Sequence, residues 1–300
     1  MSGGLLVIGD VITDVVARHE GPLAPATDTP ARIAMLPGGA GANAACWAVR
    51  RGARDVRMLG RVGADAAAWH GQALIRAGVR PLLITDQYEP TGTVVSLVDS
   101  AANGERTFLT DSGAALRLSV ADWRDGLLNG VSHLHLSGYL CFAEEPRALV
   151  RLAMAAARAR RVPVSVDPAS AGFVARMGVE RFLATVKGAD VLLPNRDEAL
   201  LLTGADDPVR AAEALGSRFP LVVVTLGAEG ALVAGGGAEV VKVSGVRVTP
   251  RDTTGAGDAF TGGFLAARLG GAGVVAAAEA GCRAGAEAVT LIGGRPAQYG

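Results

Sequence analysis

The chain is poor in lysine, aromatic residues and cysteine, and it carries no excess charge of either sign. Of its 29 basic residues only Lys187 and Lys242 are lysine, and 29 acidic residues balance them. With zero net charge, aromatic residues at only 4% and no basic run among them, the electrostatic basis for nucleic-acid or membrane-surface binding is missing. Cys46, Cys141 and Cys282 are odd in number, far apart and without a Cys-x-x-Cys, which excludes a disulfide framework and a zinc site and suits a reducing cytoplasm. Long hydrophobic runs are missing too. Leu5 to Ile8 is too short for a secretory leader, and no stretch reaches membrane-spanning length without a charge or a glycine, so a cytoplasmic protein with no membrane partner is expected.

What is present is apolar residue in quantity. Half of the 300 residues are hydrophobic, enough for a full core and for one large domain over residues 1–300. Leu5 to Gly9 is a short continuous apolar run, and similar strand-like runs recur at Val131 to Leu136, Val162 to Val166, Asp190 to Leu193 and Leu221 to Leu226. Helical stretches such as Arg147 to Arg160 and Pro208 to Arg218 separate them. This alternation predicts an α/β fold with a doubly wound, mostly parallel sheet and helices on both faces. Ligands of such sheets bind beyond the carboxyl ends of the strands, where Asp10, Asp167, Asn195 and Gly227 emerge. Two segments break the rhythm: Asp28 to Leu36, and Thr91 to Thr110, a hairpin turning at Ala101 to Gly104. They form either a small separate sheet or an edge extension of the main one.

The densest constellation is Arg251-Asp-Thr-Thr-Gly-Ala-Gly-Asp-Ala-Phe-Thr261. Gly255, Ala256 and Gly257 let backbone approach a ligand, and Ala259 to Leu269 reads as a helix. The turn would then offer free N–H groups and the positive helix end to an anion. Asp258 stands at the same helix start. Amides that neutralise developing charge, beside a carboxylate that takes a proton, are what in-line phosphoryl transfer to a hydroxyl requires. An N-cap aspartate after a glycine loop would look the same locally.

Other polar positions carry two readings each. Pro37-Gly-Gly-Ala-Gly-Ala-Asn-Ala-Ala45 opens a helix running to about Arg51 and is not a Walker loop, since no Gly-Lys-Ser/Thr follows. Its Asn43 both donates and accepts, which suits a diol. Asp14 can accept two hydroxyl hydrogen bonds, while Asp10, nearer the strand end, reads as a cap or turn residue. Asn195 and Glu198 face one way on a starting helix, as a capping box or toward a ligand. His133 and His135 share one face of a strand but have no third metal ligand. Trp47, Trp69 and Trp123 read as packing.

The string Asp252-Thr-Thr-Gly-Ala-Gly-Asp258 resembles the C-terminal signature of the ribokinase-like (PfkB) carbohydrate kinases, and further matches follow that family's order over roughly residues 4 to 297. The resemblance implies that Asp258 is the catalytic base and that Gly255, Ala256 and Gly257 form the anion hole. The family's Gly-Gly-x-x-x-Asn motif gives Gly38, Gly39 and Asn43 to the acceptor's hydroxyls, with Asp14 as the substrate aspartate. Its Asn-x-x-Glu motif gives Asn195 to the phosphates of ATP and Glu198 to Mg2+ through water. Thr225-Leu-Gly-Ala-Glu-Gly230 is similar to the nucleotide loop, so that Thr225 and Gly227 contact phosphate or ribose and Gly230 permits the turn. Thr290-Leu-Ile-Gly-Gly-Arg-Pro296 is similar to the C-terminal loop. It implies a monovalent-cation site, for K+, made by carbonyls near Ala288 and Gly293 with Asp252 and Thr254. The resemblance also makes the small sheet a lid, from about 11–37 and 91–111. Alternating apolar residues in so small a sheet predict a homodimer through the lids.

Two departures concern the acceptor. Ile12 stands where ribose kinases of the family carry Asn, and the acidic residue they place directly after the strand that here ends in Leu136-Ser-Gly-Tyr139 is missing. Both remove polar partners of a free sugar, leaving other sugars, sugar acids and nucleosides open, and Phe108 could stack on a base. The expected activity is an ATP-dependent kinase for a sugar-like hydroxyl. A nucleoside kinase and a catalytically idle sugar-binding regulatory protein are the alternatives. Gly9-Asp10 lacks the Gly-x-Gly-x-x-Gly fingerprint, which excludes a dinucleotide-dependent dehydrogenase.

Overall fold

The computed structural model describes residues 3–99 and 105–296. Its strands are β1 (Gly4–Ile8), β2 (Ile12–His19), β3 (Ala31–Gly38), β4 (Val56–Gly63), β5 (Arg80–Asp86), β6 (Thr91–Asp99), β7 (Glu105–Gly113), β8 (Val131–Ser137), β9 (Val164–Asp167), β10 (Val191–Leu192), β11 (Leu221–Thr225), β12 (Gly230–Gly235) and β13 (Ala238–Ser244). The helices are α1 (Ala40–Arg50), α2 (Ala67–Arg76), α3 (Glu144–Ala159), α4 (Ala171–Met177), α5 (Val179–Thr185), α6 (Arg196–Thr203), α7 (Pro208–Gly216), α8 (Ala256–Leu269) and α9 (Val274–Ala288).

Nine strands form one sheet in the order β13-β12-β11-β10-β9-β8-β1-β4-β5. Its pairs are parallel except β11 with β12 and β12 with β13. β1 is buried at every position, as a strand covered on both faces must be. Because successive side chains alternate, Leu6 and Ile8 pack in the core that holds Leu149 and Phe182 from α3 and α5. Leu5 and Val7 pack on the opposite face with Cys46, Phe264 and Ala278 from α1, α8 and α9. The expected ribokinase-like architecture is borne out. α8, however, begins at Ala256, three residues ahead of the apolar pattern: Gly255 takes φ 73°, ends the turn, and puts Ala256, Gly257 and Asp258 in the first helical turn.

The two off-rhythm segments supply β3, β6 and β7, which with β2 form a separate four-stranded sheet, β3-β2-β6-β7, not an edge extension. β2 is its parallel partner to β6, and the turn Ala101 to Gly104 lies outside the described residues. Its register sorts the side chains. Leu36, Asp14, Val94 and Thr110 make one row across the four strands, and Met35, Val15, Val95 and Leu109 make the next row, on the other face. Asp14, Val94 and Thr110 face a cavity between the two sheets, so the Met35 row faces away from it.

Candidate active site

Asp10, Asp167, Asn195 and Thr225 follow or end β1, β9, β10 and β11. They meet the start of α8 and the lid around a cavity of about 530 Å3. Asp14, Gly39, Asn43, Asn195, Glu198, Thr225, Thr254, Gly255, Ala256, Gly257 and Asp258 all line it. Gly38, Gly227, Gly230, Asp252, Ala288 and Gly293 do not. Gly230 instead makes the turn into β12 at φ 105°, where a side chain would strike the Val243 carbonyl.

At the signature, Gly255 is demanded by its backbone and its surroundings. A Cβ there would lie 2.5 Å from the Cα of Gly294. Among the described residues the N–H groups of Gly255, Gly257 and Asp258 find no protein acceptor, while that of Ala256 reaches Thr253 O at 3.4 Å. Open donors at the positive end of a 14-residue helix, facing a cavity, are an anion cradle.

The acceptor motif is tied to this cradle. Asp10 caps α1, taking hydrogen bonds from Ala40 N at 2.7 Å, from Gly41 N at 3.3 Å and from Ser137 Oγ at 2.8 Å. That is the cap role expected of it, although it also lines the cavity. Asn43, on α1, donates from Nδ2 to Asp258 Oδ2 at 2.8 Å. Its Oδ1 accepts from Arg295 Nε at 3.4 Å, and Arg295 Nη2 donates to Gly38 O at 2.9 Å. The guanidinium thus fixes which way the amide points, since a flipped Asn43 would set its NH2 against a cation. Arg295 is buried and was given no role by the sequence. Burial raises Asp14 to about 7, opposed by Arg295 and reinforced by Asp10 and Asp252. Asp258 lies half-buried with its carboxylate toward the cavity. Desolvation lifts it well above the ordinary carboxylate range, the Asn43 hydrogen bond opposes the lift, and Asp167, Asp10 and Asp14 add to it.

On the other wall the expected capping box is present. Asn195 Oδ1 accepts from Glu198 N, and Glu198 Oε2 accepts from Asn195 N, each at 2.9 Å. Glu198 is nonetheless buried against the cavity, and desolvation with the nearby Asp167 charge raises it to about 8. Asp167, which accepts from Thr261 Oγ1 at 3.2 Å, is raised to about 6, chiefly by desolvation. Two oxygen-donor carboxyls held above their normal range chiefly by desolvation, with Asp167 also repelling Glu198, suit a hard divalent cation, whose charge would favour their ionised forms. Among the described residues no group of three or more His, Cys, Asp or Glu is placed to hold a metal ion.

The C-terminal loop is a tie between elements. Gly293 N donates to Asp252 Oδ2 at 3.0 Å, Thr254 N donates to Asp252 Oδ1 at 2.8 Å, and Trp47 Nε1 donates to Gly294 O at 2.9 Å. Ala288 O accepts from Leu291 N at 2.9 Å, and Arg18 of the lid stands 3.8 Å from Asp252. His133 and His135 share the Ser165 hydroxyl at 2.8 and 2.9 Å, the buried strand histidines that were expected. A larger depression of about 650 Å3 opens at the opposite, amino ends of the strands, beside Gly3, Pro163 and Pro220. It lacks the convergence of carboxylates and open amides seen around Asp258.

A mostly parallel doubly wound sheet, a small sheet over its carboxyl edge, and an anion cradle paired with a carboxylate define a ribokinase-like phosphotransferase. The comparisons agree: residues 3–298 match the profile of the pfkB family carbohydrate kinases, and the chain belongs to that family. It is a sugar or nucleoside kinase that phosphorylates a hydroxyl group. A fructokinase from Escherichia coli is 33% identical over 280 residues, covering 88% of this chain and 84% of the relative. A ribokinase from Bacillus subtilis is 29% identical over 300 residues, covering 96% and 94%. The crystal structure of an adenosine kinase from Sinorhizobium meliloti superposes with a TM-score of 0.87 at 26% identity, covering 99% of this chain and 96% of that one. Among the described residues no helix is long and apolar enough to cross a membrane.

Proposed function

We infer that this kinase transfers the γ-phosphate of ATP to a hydroxyl of a sugar-like acceptor, with Asp258 as general base. The observation that carries this reading is the Asn43–Asp258 hydrogen bond beside the open amides of Gly255, Gly257 and Asp258. Asn43 and Asp14 orient the acceptor's hydroxyls, and Asp258 takes the proton as the nucleophile forms. A carboxylate raised by burial is a better base near neutral pH than an exposed one. The α8 amides stabilise the charge on the transferring group. Asn195 and Thr225 hold the nucleotide side. Mg2+, when bound, neutralises phosphate charge, and Glu198 and Asp167 are the carboxylates that would hold it through water. Gly38 and Gly39 shape the acceptor motif, and Gly227 and Gly230 shape the loop after β11.

The whole chain acts as one kinase domain whose lid is about 11–37 and 91–111. The apolar outer row of the lid supports a homodimer, and three buried free cysteines fit a reducing cytoplasm. The tie of Asp252 to Gly293 supports a monovalent-cation site at the C-terminal loop, with K+ as the ion and Thr254 and the Ala288 carbonyl close to it. Asp258→Asn keeps the shape of the side chain and should preserve fold and ATP affinity while lowering turnover by about two or more orders of magnitude. Turnover within tenfold of wild type would remove Asp258 from the chemistry.

A further inference from the structure

The cleft has a second compartment. A cavity of about 380 Å3 shares Ser112, Leu116, Tyr139 and Phe173 with the chamber that holds Asp258. The two are opposite in charge. The Asp258 chamber is lined by Asp10, Asp14, Asp167, Glu198 and Asp258 and by no arginine or lysine. Its neighbour is lined by Arg147, Arg176 and Arg181 and by no acidic residue. Arg147 is buried and held in place, Nε donating to Cys141 O at 2.7 Å and Nη1 to Glu144 at 2.9 Å. Arg181 reaches the same Glu144 at 3.3 Å. The Arg176 side chain makes no hydrogen bond or ion pair with any described residue, and its guanidinium lies 5.3 Å from the centre of the Phe173 ring. Of the three cations lining this cavity, Arg147 and Arg181 therefore share one carboxylate, Glu144, which also meets Arg151 at 3.7 Å and is itself mostly exposed, and Arg176 has none.

Resting on the kinase reading above, we propose that the acceptor is anionic: a polyol whose hydroxyl is delivered to Asp258 while a carboxylate or phosphate at its other end is held by Arg147, Arg176 and Arg181. A neutral sugar gains only hydrogen bonds to its hydroxyls from the arginine compartment, without charge on the acceptor to strengthen them. An anion gains charge-assisted, fork-shaped hydrogen bonds there and is repelled by the five carboxylates next door, so its charge sets the direction in which it enters. A nucleoside base fits this compartment less well. Phe173, the ring it would need, already stacks on Phe142 at 5.1 Å, meets Tyr139 edge-on at 5.7 Å and carries Arg176.

The test measures ADP formation with a matched panel in which hexoses and pentoses are offered beside their aldonic acids and their terminal phosphate monoesters, with adenosine and cytidine as further arms. The kcat/KM for an anionic acceptor should exceed that of its neutral parent by about tenfold or more, and Arg176→Gln should shrink that ratio by about tenfold through KM. The carboxylate and phosphate arms tell the two anions apart. A neutral sugar or a nucleoside preferred over every anionic acceptor overturns the proposal and leaves the kinase standing, as does a ratio that Arg176→Gln leaves unchanged. Failure of every acceptor to consume ATP overturns the kinase reading and the proposal with it. A thermal-shift measurement without ATP adds a binding readout. Stabilisation by an aldonic acid or phosphate ester that Arg176→Gln abolishes is expected, and stabilisation that survives the substitution counts against the site.

Discussion

The two sheets put the same alternation of side chains to different ends. In the nine-stranded sheet both faces meet helices, and Leu5, Leu6, Val7 and Ile8 are all 0% exposed. In the lid only one face has a partner, the cleft, and the other leaves Met35 at 64% and Leu109 at 58% exposed. The large sheet is therefore a frame whose strand ends cannot shift without opening a close-packed core, and Asp167, Asn195 and Thr225 inherit that rigidity. Asp14 stands on the lid, whose position depends on far fewer contacts. On the proposed reading, phosphate handling belongs to the frame, and acceptor handling to the seam between frame and lid.

This division breaks most severely if substitutions at the seam damage the wrong substrate. Asp14→Ala and Asn43→Ala should raise the KM of the acceptor by about ten- to a hundredfold, as loss of hydrogen bonds to charged groups does, with much smaller change for ATP. Steady-state kinetics in both substrates decides, and a larger rise for ATP would mean the two ends are reversed. Next comes the lid's outer face. If the row Met35, Val15, Val95 and Leu109 is covered by a second copy, the protein is a dimer at micromolar concentration and Met35→Lys yields a monomer by light scattering. A monomeric mass for the unsubstituted protein ends that proposal.

Smaller effects test the frame. In a buffer that keeps Mg2+ but whose only monovalent cation is bulky and organic, turnover should be reduced and should recover on adding K+ better than on adding Na+, because a carbonyl cage sized for the larger ion discriminates against the smaller one. An unchanged rate removes the cation. The smallest effect concerns Glu198, raised on folding from 4.5 to about 8 by burial and Asp167. A carboxyl raised on folding contributes stability below its unfolded pKa and loses it as pH rises through the folded value. The ligand-free protein should therefore weaken between about pH 4.5 and pH 8. Glu198→Gln keeps an oxygen for the capping box and should raise Tm at pH 8 by a few degrees while leaving it nearly unchanged at pH 4.5. Equal shifts at both pH values would show that packing, and not charge, is at issue.

Much of this was legible where chemistry is local. Gly255 to Asp258 can be read from the chain because the turn, the open amides and the carboxylate are contiguous, and β1 because a doubly covered strand is apolar throughout. β4 and β5 were not, since Arg57, Gly60 and Arg61 interrupt the first and Arg80 opens the second, an edge strand with one neighbour. Arg295 had no signal at all. Its meaning comes from Gly38 and Asn43, more than 250 residues earlier, and no spacing rule reaches that far. Asp167 was visible as a strand-end carboxylate, but its pairing with Thr261 and its coupling to Glu198 appear only when β9, α6 and α8 converge.

The hydrogen bond from Asn43 to Asp258 joins residues 215 positions apart, and Arg295 reaches Gly38 across 257. At ribosomal speeds of roughly 5–20 residues per second, the acceptor motif is made roughly 10–40 s before the carboxylate it will hold. The amide of Asn43, the carbonyl of Gly38 and the indole of Trp47 all wait for partners in the final fifth of the chain. A polypeptide not yet grown past Arg295 thus has the Gly38 to Asn43 loop without these partners, and this side of the site comes together only once that residue is made.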